Sequence, residues 1–240
     1  LVSDLLTYLD RASVPYVIGN DDAVLGPVDT GELDRIDYNA VMLFRPGENV
    51  IPPEPERYRK MHLVPFTEHF PYKKAFPWIY ELLLANDTHF WEKGNDPVVF
   101  RAAGLRFSTP ICFEDTFGYI SRRFVNNGAR AIVNLTNDAW AKSAPCQYQH
   151  LSMSVFRAVE NRVPLVRATA SGQSCFVDPN GRIVTMGKPF EKTWLVAEMP
   201  VMDRMVMTPY RLWGDLWGIL FAIAGTGAIL AGLLTKLRHI

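Results

Sequence analysis

Cys112 in TPICFED, Lys60 and Glu68 at the two ends of KMHLVPFTE, and Glu114 two residues beyond the cysteine are the side chains of this sequence best suited to chemistry. A thiol at the end of an apolar run, with a lysine and two carboxylates brought close by the fold, has the composition of an activated cysteine nucleophile. The reaction such a set serves is acyl transfer.

Each residue also has a plainer reading. A cysteine in an apolar run is usually an inert core group. Lys60 follows the charged run 54–59 and could be an ordinary solvated lysine. Glu68 and Glu114 could be structural carboxylates, although Glu114 shares a side with Cys112 if the strand continues past it. His62, alone in an apolar stretch, reads as a satisfied structural histidine.

The elements that must position these residues alternate. Short apolar or β-branched runs at 14–18, 40–44, 98–100, 106–112, 131–135, 165–169, 174–177 and 195–199 read as strands. Stretches 1–12, 116–126 and 147–161 read as helices, the last with Leu151, Val155 and Ala158 on one core-facing stripe. Such alternation predicts an α/β domain. Asp178-Pro179-Asn180-Gly181 predicts a hairpin turn, and the proline-rich stretch 47–57 an extended loop leading to Lys60.

A chain of 240 residues holds one large domain, and 25 acidic against 25 basic side chains leave no net charge to attract nucleic acid. The three cysteines, Cys112, Cys146 and Cys175, have neither CxxC spacing nor a histidine cluster, so no metal is expected. An odd count leaves at least one free thiol, with a Cys146–Cys175 bridge left open.

Residues 217–234 carry no charged side chain, and at ~1.5 Å rise per residue they span roughly 27 Å, close to the hydrocarbon thickness of a bilayer. A buried core helix is the plainer reading. Glycines, the position at the chain end and Lys236, Arg238 and His239 beyond it favour a membrane span with its C-terminal end in the cytoplasm. Tyr210, Trp213 and Trp217 suit an interfacial aromatic belt. Met199, Met202, Met205 and Met207 read as adaptable packing or as an apolar lip for lipid tails, and Arg211 as a ligand for lipid phosphate or an ordinary interfacial arginine.

Those motifs, with NLTNDAW at 134–140, YQHLSMSVFRAVENRVPLVRAT at 148–169 and TPYRLWGD at 208–215, resemble the nitrilase superfamily of carbon–nitrogen hydrolases and, within it, the apolipoprotein N-acyltransferase family. The resemblance implies a four-layer αββα sandwich over 1–210, a juxtamembrane segment 211–216, a transmembrane helix 217–235 and a cytoplasmic tail 236–240. It implies a Glu-Lys-Cys catalytic set in which Cys112 is the nucleophile and Lys60 favours the thiolate and the oxyanion. Glu68 then holds Lys60, Glu114 fixes the loop around Cys112, and the Phe113 N–H is a second oxyanion donor. The donor would be a membrane phospholipid, the acceptor a diacylated apolipoprotein, and no cofactor is needed. The enzyme would sit in a bacterial inner membrane with its domain on the periplasmic side.

The glutamate that acts as general base in that family precedes everything matched here. Asp4, Asp10, Asp21 and Asp22 stand in the wrong context to replace it. Leu1 is not a methionine and no signal peptide is evident, so the sequence reads as the C-terminal portion of a longer chain, expected to be inactive alone. Phe113 stands where the family commonly has tyrosine, Thr67 where it has glycine, and Ala141 where an aromatic is typical. Trp140, Ala141, Met202, Met205 and Trp213 are the candidates to face lipid. A soluble amidase and a non-catalytic truncated member remain as alternatives.

Overall fold

Five consecutive apolar residues, Ala40 to Phe44, are all buried, and their alternation explains how the layers assemble. Side chains of successive strand residues point to opposite faces. Val41 and Leu43 enter a core cluster with Tyr58, Phe100, Phe107, Ile120 and Phe124, while Met42 and Phe44 turn the other way to meet Leu6 and Leu9. A strand covered on both sides needs an apolar residue at every position.

The computed structural model describes residues 2–27, 33–48, 53–86 and 88–238. Its elements are α1 (Val2–Arg11), β1 (Tyr16–Pro27), β2 (Leu33–Phe44), β3 (Glu56–Arg59), α2 (Pro77–Ala85), β4 (Phe100–Ala102), β5 (Leu105–Ser108), α3 (Gly118–Asn126), β6 (Ala131–Asn137), α4 (Ala144–Asn161), β7 (Leu165–Ala170), β8 (Cys175–Val177), β9 (Ile183–Met186), α5 (Pro209–Trp213) and α6 (Leu216–Arg238). They form an antiparallel sheet β1-β2-β3 and a mixed sheet β4-β5-β6-β7-β8-β9, with β5, β6 and β7 parallel.

The layers follow from burial. Helix α1 covers the outer face of the first sheet. Both sheets contribute to the central core. On the far side of the second sheet, Ile132, Leu165 and Val177 pack with Leu151 and Ala158 of α4 and Val125 of α3. The order is helix, sheet, sheet, helix, the nitrilase-like α/β sandwich expected. Burying a side chain of the size of Leu9 or Leu43 contributes roughly 1.5–3 kcal/mol, so the layers are held mainly by apolar contact.

Several elements differ from the sequence reading. The run 195–199 joins no sheet among the described residues; its burial alternates as in a strand, yet it lacks a ladder partner. Strand β5 ends at Ser108 rather than at Cys112, because Pro110 has no N–H to donate. A single bridge, Ile111 to Leu135, continues its direction. The loop read at 47–57 contains the start of β3, which pairs with β2 through Met42↔Arg57 and Leu43↔Glu56, and its residues 49–52 lie outside the described ones. The turn at 178–181 forms, with Gly181 at φ 84° and Asp178 N–H donating to Arg182 O at 2.9 Å.

Helix α6 presents an apolar 18-residue window, Leu216–Leu233, of mean hydropathy 2.0, none of it buried. A core helix would be covered, so length, composition and exposure together fit a membrane span. The tail read at 236–240 falls partly on 239–240, outside the described residues. Segment 208–213 is anchored to the domain instead of lying free. Thr208 Oγ1 donates to Glu160 O, and Arg211 is buried, with its Nε on Asn126 Oδ1 at 3.0 Å and its Nη1 on Val206 O at 2.7 Å. Arg211 therefore has a structural job and no free face for lipid phosphate.

Candidate active site

The nucleophile's position is set by a chain that stops being a strand. After Ile111 the backbone enters a short 3-10 turn, Cys112–Thr116, whose first residue has φ 50°. That left-handed conformation costs a non-glycine residue about 1–2 kcal/mol. It also turns Cys112 and Phe113 into the wall of a cavity of about 930 Å³. Cys112 and Glu114 consequently face different surroundings, not one side of a strand as the spacing suggested.

Glu114 is wholly buried and points back into the fold. It accepts from Tyr58 Oη at 2.9 Å, Met61 N at 2.8 Å, His62 N at 2.8 Å and Ile111 N at 2.7 Å. One carboxylate thus ties the Cys112 turn to the segment that follows Lys60. Burial pushes its pKa up, against the pull of these hydrogen bonds and of Lys60.

Lys60 leaves the end of β3 with its N–H on Asn39 O at 2.8 Å and its carbonyl accepting from Gly94 N at 2.8 Å. Gly94 must be glycine, since a Cβ there would lie 2.2 Å from Arg59 O. The ammonium is wholly buried and reaches both oxygens of Glu68 at 2.7 Å. Glu68 in turn accepts from Val64 N at 2.8 Å and Asn39 Nδ2 at 3.3 Å, and it lines the same cavity as Cys112. Across that cavity stand Asn20, Asp21, Trp91, Asn137 and Trp140, with Trp91 Nε1 donating to Asp21 Oδ1 at 3.0 Å.

Among the described residues neither the Cys112 thiol nor the Phe113 N–H makes a hydrogen bond. Asn134 Nδ2 holds the turn from β6, donating to Pro110 O at 3.0 Å and Cys112 O at 3.1 Å. His62 packs on Phe117 and meets Tyr119 Oη at 2.8 Å through Nδ1; burial and the nearby lysines lower its pKa, as suits a structural imidazole. All three cysteines are free thiols, Cys146 and Cys175 included. Among the described residues no cluster of metal-ligating side chains occurs.

A second group of side chains, absent from the sequence reading, sits behind the same turn. His150 on α4 bridges two aspartates, with Nε2 at 2.8 Å from Asp115 Oδ1 and Nδ1 at 2.9 Å from Asp138 Oδ1. Arg167 on β7 reaches Asp115 Oδ2 at 2.6 Å and Asp138 Oδ2 at 3.4 Å, and Ser154 donates to Asp115 Oδ2 at 2.6 Å. Burial opposes charge on His150, but the hydrogen bonds to both aspartates outweigh it and push the pKa up to about 9. With a pKa of about 9 His150 is an imidazolium at neutral pH, and the cluster sets it and Arg167 against Asp115 and Asp138 in a buried site. Gly172 leaves it room, since a Cβ there would come within 2.5 Å of Asp138 Oδ2. The available signal was a second stripe on α4, the buried Gln147, His150, Ser154, Arg157 and Asn161, beside the apolar one.

Of the residues read as lipid-facing, Trp140 is 67% exposed and lines the nucleophile cavity, and Ala141 lines a smaller chamber beside it. Met202 and Trp213 are exposed. Met205 instead packs against the cluster of Leu151, Leu165 and Val177. Trp213 and Trp217 meet edge to face at 5.8 Å at the start of α6.

The carbon-nitrogen hydrolase family model matches residues 17–204. Apolipoprotein N-acyltransferase 1 of Treponema denticola is 57% identical over 93% of the chain, and its counterpart in Treponema pallidum 52% over 97%. The chain spans 42% of the length of each of these relatives. Among solved structures, Nit3 of Saccharomyces cerevisiae, of the nitrilase superfamily, aligns with TM-score 0.54 and 21% identity over 80% of this chain and 62% of its own. Glutamine-dependent NAD+ synthetase of Acinetobacter baumannii aligns with TM-score 0.55 and 14% identity over 80% and 32%. At these identities the two structures speak for the fold.

Proposed function

The chain belongs to the carbon-nitrogen hydrolase family, and from that premise we propose that it is the catalytic portion of a membrane N-acyltransferase that completes bacterial lipoproteins. The observation that carries the reading is Cys112 on its left-handed turn, facing a large cavity shared with Glu68 and backed by Lys60, in a chain that also bears a bare apolar helix.

In the proposed reaction the Cys112 sulfur attacks the ester carbonyl of a glycerophospholipid. The thiol proton passes to a general base and then to the departing glyceryl oxygen, releasing a lysophospholipid and leaving an acyl thioester. The α-amine of a diacylglyceryl-cysteine then attacks the thioester, forms the amide and regenerates the thiol. The Lys60 ammonium and the unbonded Phe113 N–H would offset charge on the tetrahedral oxyanion. Glu68 holds Lys60 in place, and Glu114 keeps the Cys112 turn and the Lys60 segment together. The chemistry calls for no cofactor, because the thioester stores the energy of the second step.

The general base is left to a carboxylate other than Glu68 and Glu114, both of which are held by the contacts described above. The domain 1–210, the junction 211–216 and the span 217–235 would place the cavity at the periplasmic surface of the inner membrane. Both substrates live in that membrane, and tethering raises their effective concentration at the thiol. A soluble amidase would gain nothing from such a helix.

The test is incubation of the full-length protein, in membranes, with acyl-labelled phosphatidylethanolamine. A hydroxylamine-sensitive acyl adduct on Cys112 is expected, absent from Cys112→Ala and discharged by a diacylated lipopeptide amine. A folded protein without adduct would return the amidase or the non-catalytic reading.

A further inference from the structure

Beside the nucleophile cavity lies a second chamber of about 250 Å³, whose walls include Phe113, Trp140, Ala141, Cys146 and Met153. Phe113 and Trp140 also line the larger cavity, so the two spaces share a partition directly next to Cys112. Phe113 and Ala141 both line this one chamber. An aromatic ring at position 141 would occupy it, and a methyl group leaves it open.

The surroundings select the occupant. His150 forms part of the floor, but both its ring nitrogens are engaged by Asp115 and Asp138, and its ring lies 5.4 Å from that of Phe113. Gln147 Oε1, an acceptor, has no partner, and Asp138 is anionic. An acceptor and a carboxylate repel phosphate or carboxylate ligands. Apart from the Gln149 amide and the Trp140 indole N–H, the remaining walls are carbon and sulfur, suited to a flexible apolar chain.

We infer that this chamber seats the distal part of the acyl chain carried by Cys112, and that the residue at position 141 sets the length of chain accepted. The inference rests on the acyl-enzyme reading above and adds a specificity determinant to it. Ala141 touches no reacting atom; it acts through the volume it leaves.

The experiment uses the full-length protein in membranes supplied with phosphatidylethanolamines bearing lauroyl, myristoyl, palmitoyl or stearoyl chains, and measures the Cys112 adduct by intact mass spectrometry. Ala141→Phe should lower the palmitoyl and stearoyl adducts relative to lauroyl by about tenfold, the discrimination that one or two buried methylenes provide. Ala141→Val, which fills less of the space, should shift the profile in the same direction and guards against a Phe variant that fails to fold.

A measurement on the unsubstituted protein is independent of both variants. Palmitoylation of Cys112 should slow alkylation of Cys146 several-fold, while lauroylation slows it less. Cys175 does not interfere, being wholly buried with its thiol pushed up to about 11 by burial. An adduct that forms with an unchanged length profile, or with Cys146 equally reactive, overturns the inference and leaves the acyl-enzyme intact. No adduct at any length overturns the acyl-enzyme reading and the inference together.

Discussion

Glu114 and Asp115 are neighbours on one turn, equally buried, yet they are held by opposite means. Glu114 faces the first sheet and is satisfied by three backbone N–H groups and the Tyr58 hydroxyl, with no cation in direct contact among the described residues. Asp115 faces α4 and β7 and is satisfied by an imidazolium, a guanidinium and a serine. The first clamp joins two segments of chain by dipoles. The second joins the turn, α4, β7 and the Asp138 loop by charge. A buried carboxylate can be made tolerable by either route, but only the charged route fails abruptly when one partner goes.

The strongest way to break this contrast is Arg167→Met. It keeps length and apolar stem and leaves two buried aspartates with one cation between them. A loss of about 3–5 kcal/mol is expected, measured by denaturant unfolding of the protein in detergent. A loss below about 1 kcal/mol would mean that water reaches the cluster and the contrast with Glu114 is false.

The next effect is on pH. His150 has a folded pKa near 9, above its ordinary 6.5, so its contribution to stability is complete below pH 6.5 and declines as pH rises through 9. Glu114 also has a folded pKa raised above the ordinary carboxylate value, by burial, so its contribution too is lost as pH rises through that raised pKa. Unfolding midpoints recorded from pH 6 to 10 should therefore fall in wild type and flatten in His150→Gln. An unaltered slope in that variant would assign the titration to another group.

The smallest effect sharpens the comparison from the dipole side. Tyr58→Phe removes one of the donors to Glu114 and retains the N–H groups of Met61, His62 and Ile111. About 1 kcal/mol is expected, with the Cys112 turn unmoved as judged by the rate of Cys112 alkylation. A loss as large as that of Arg167→Met would show that the two clamps are equally brittle.

How much of this was legible depended on where each signal lies in the chain. The apolar runs at 40–44, 131–135 and 165–169 are strands because both faces of each sheet are covered, and periodicity reports burial directly. The rest of the β1–β2 hairpin, with Asn20 to Ala23 paired to Ala40 to Asp37, lay outside the predicted strands; its polar residues line the cavity or pair with arginines instead of forming an apolar run. Helix α2 was missed for the converse reason: PWIYELLLA is apolar nearly all round, Glu81 aside, and buries nothing, so it shows no stripe. The run 195–199 alternates convincingly but has no neighbouring strand, which local sequence cannot report.

The candidate site divides in the same way. Cys112, Lys60, Glu68 and Glu114 lie in short motifs, and the structure brings them together. The Glu114 bonds to Met61 and His62 cross 53 and 52 residues, but motif resemblance stands in for that distance. Asp115, Asp138, His150 and Arg167 are spread over four elements, and each is an unremarked polar residue until the fold assembles them. Only the polar face of α4 announced that something charged had to be buried there.

Cys112 sits on backbone that glycine would occupy more comfortably. Glycine or asparagine there would relieve the left-handed φ, at the cost of the contact that Cys112 makes with the core cluster of Val41, Leu43 and Tyr58. The fold thus carries at the wall of its largest described cavity the same local cost that it carries at six other non-glycine residues with positive φ, and Cys112→Gly reads that cost directly as a gain in unfolding free energy.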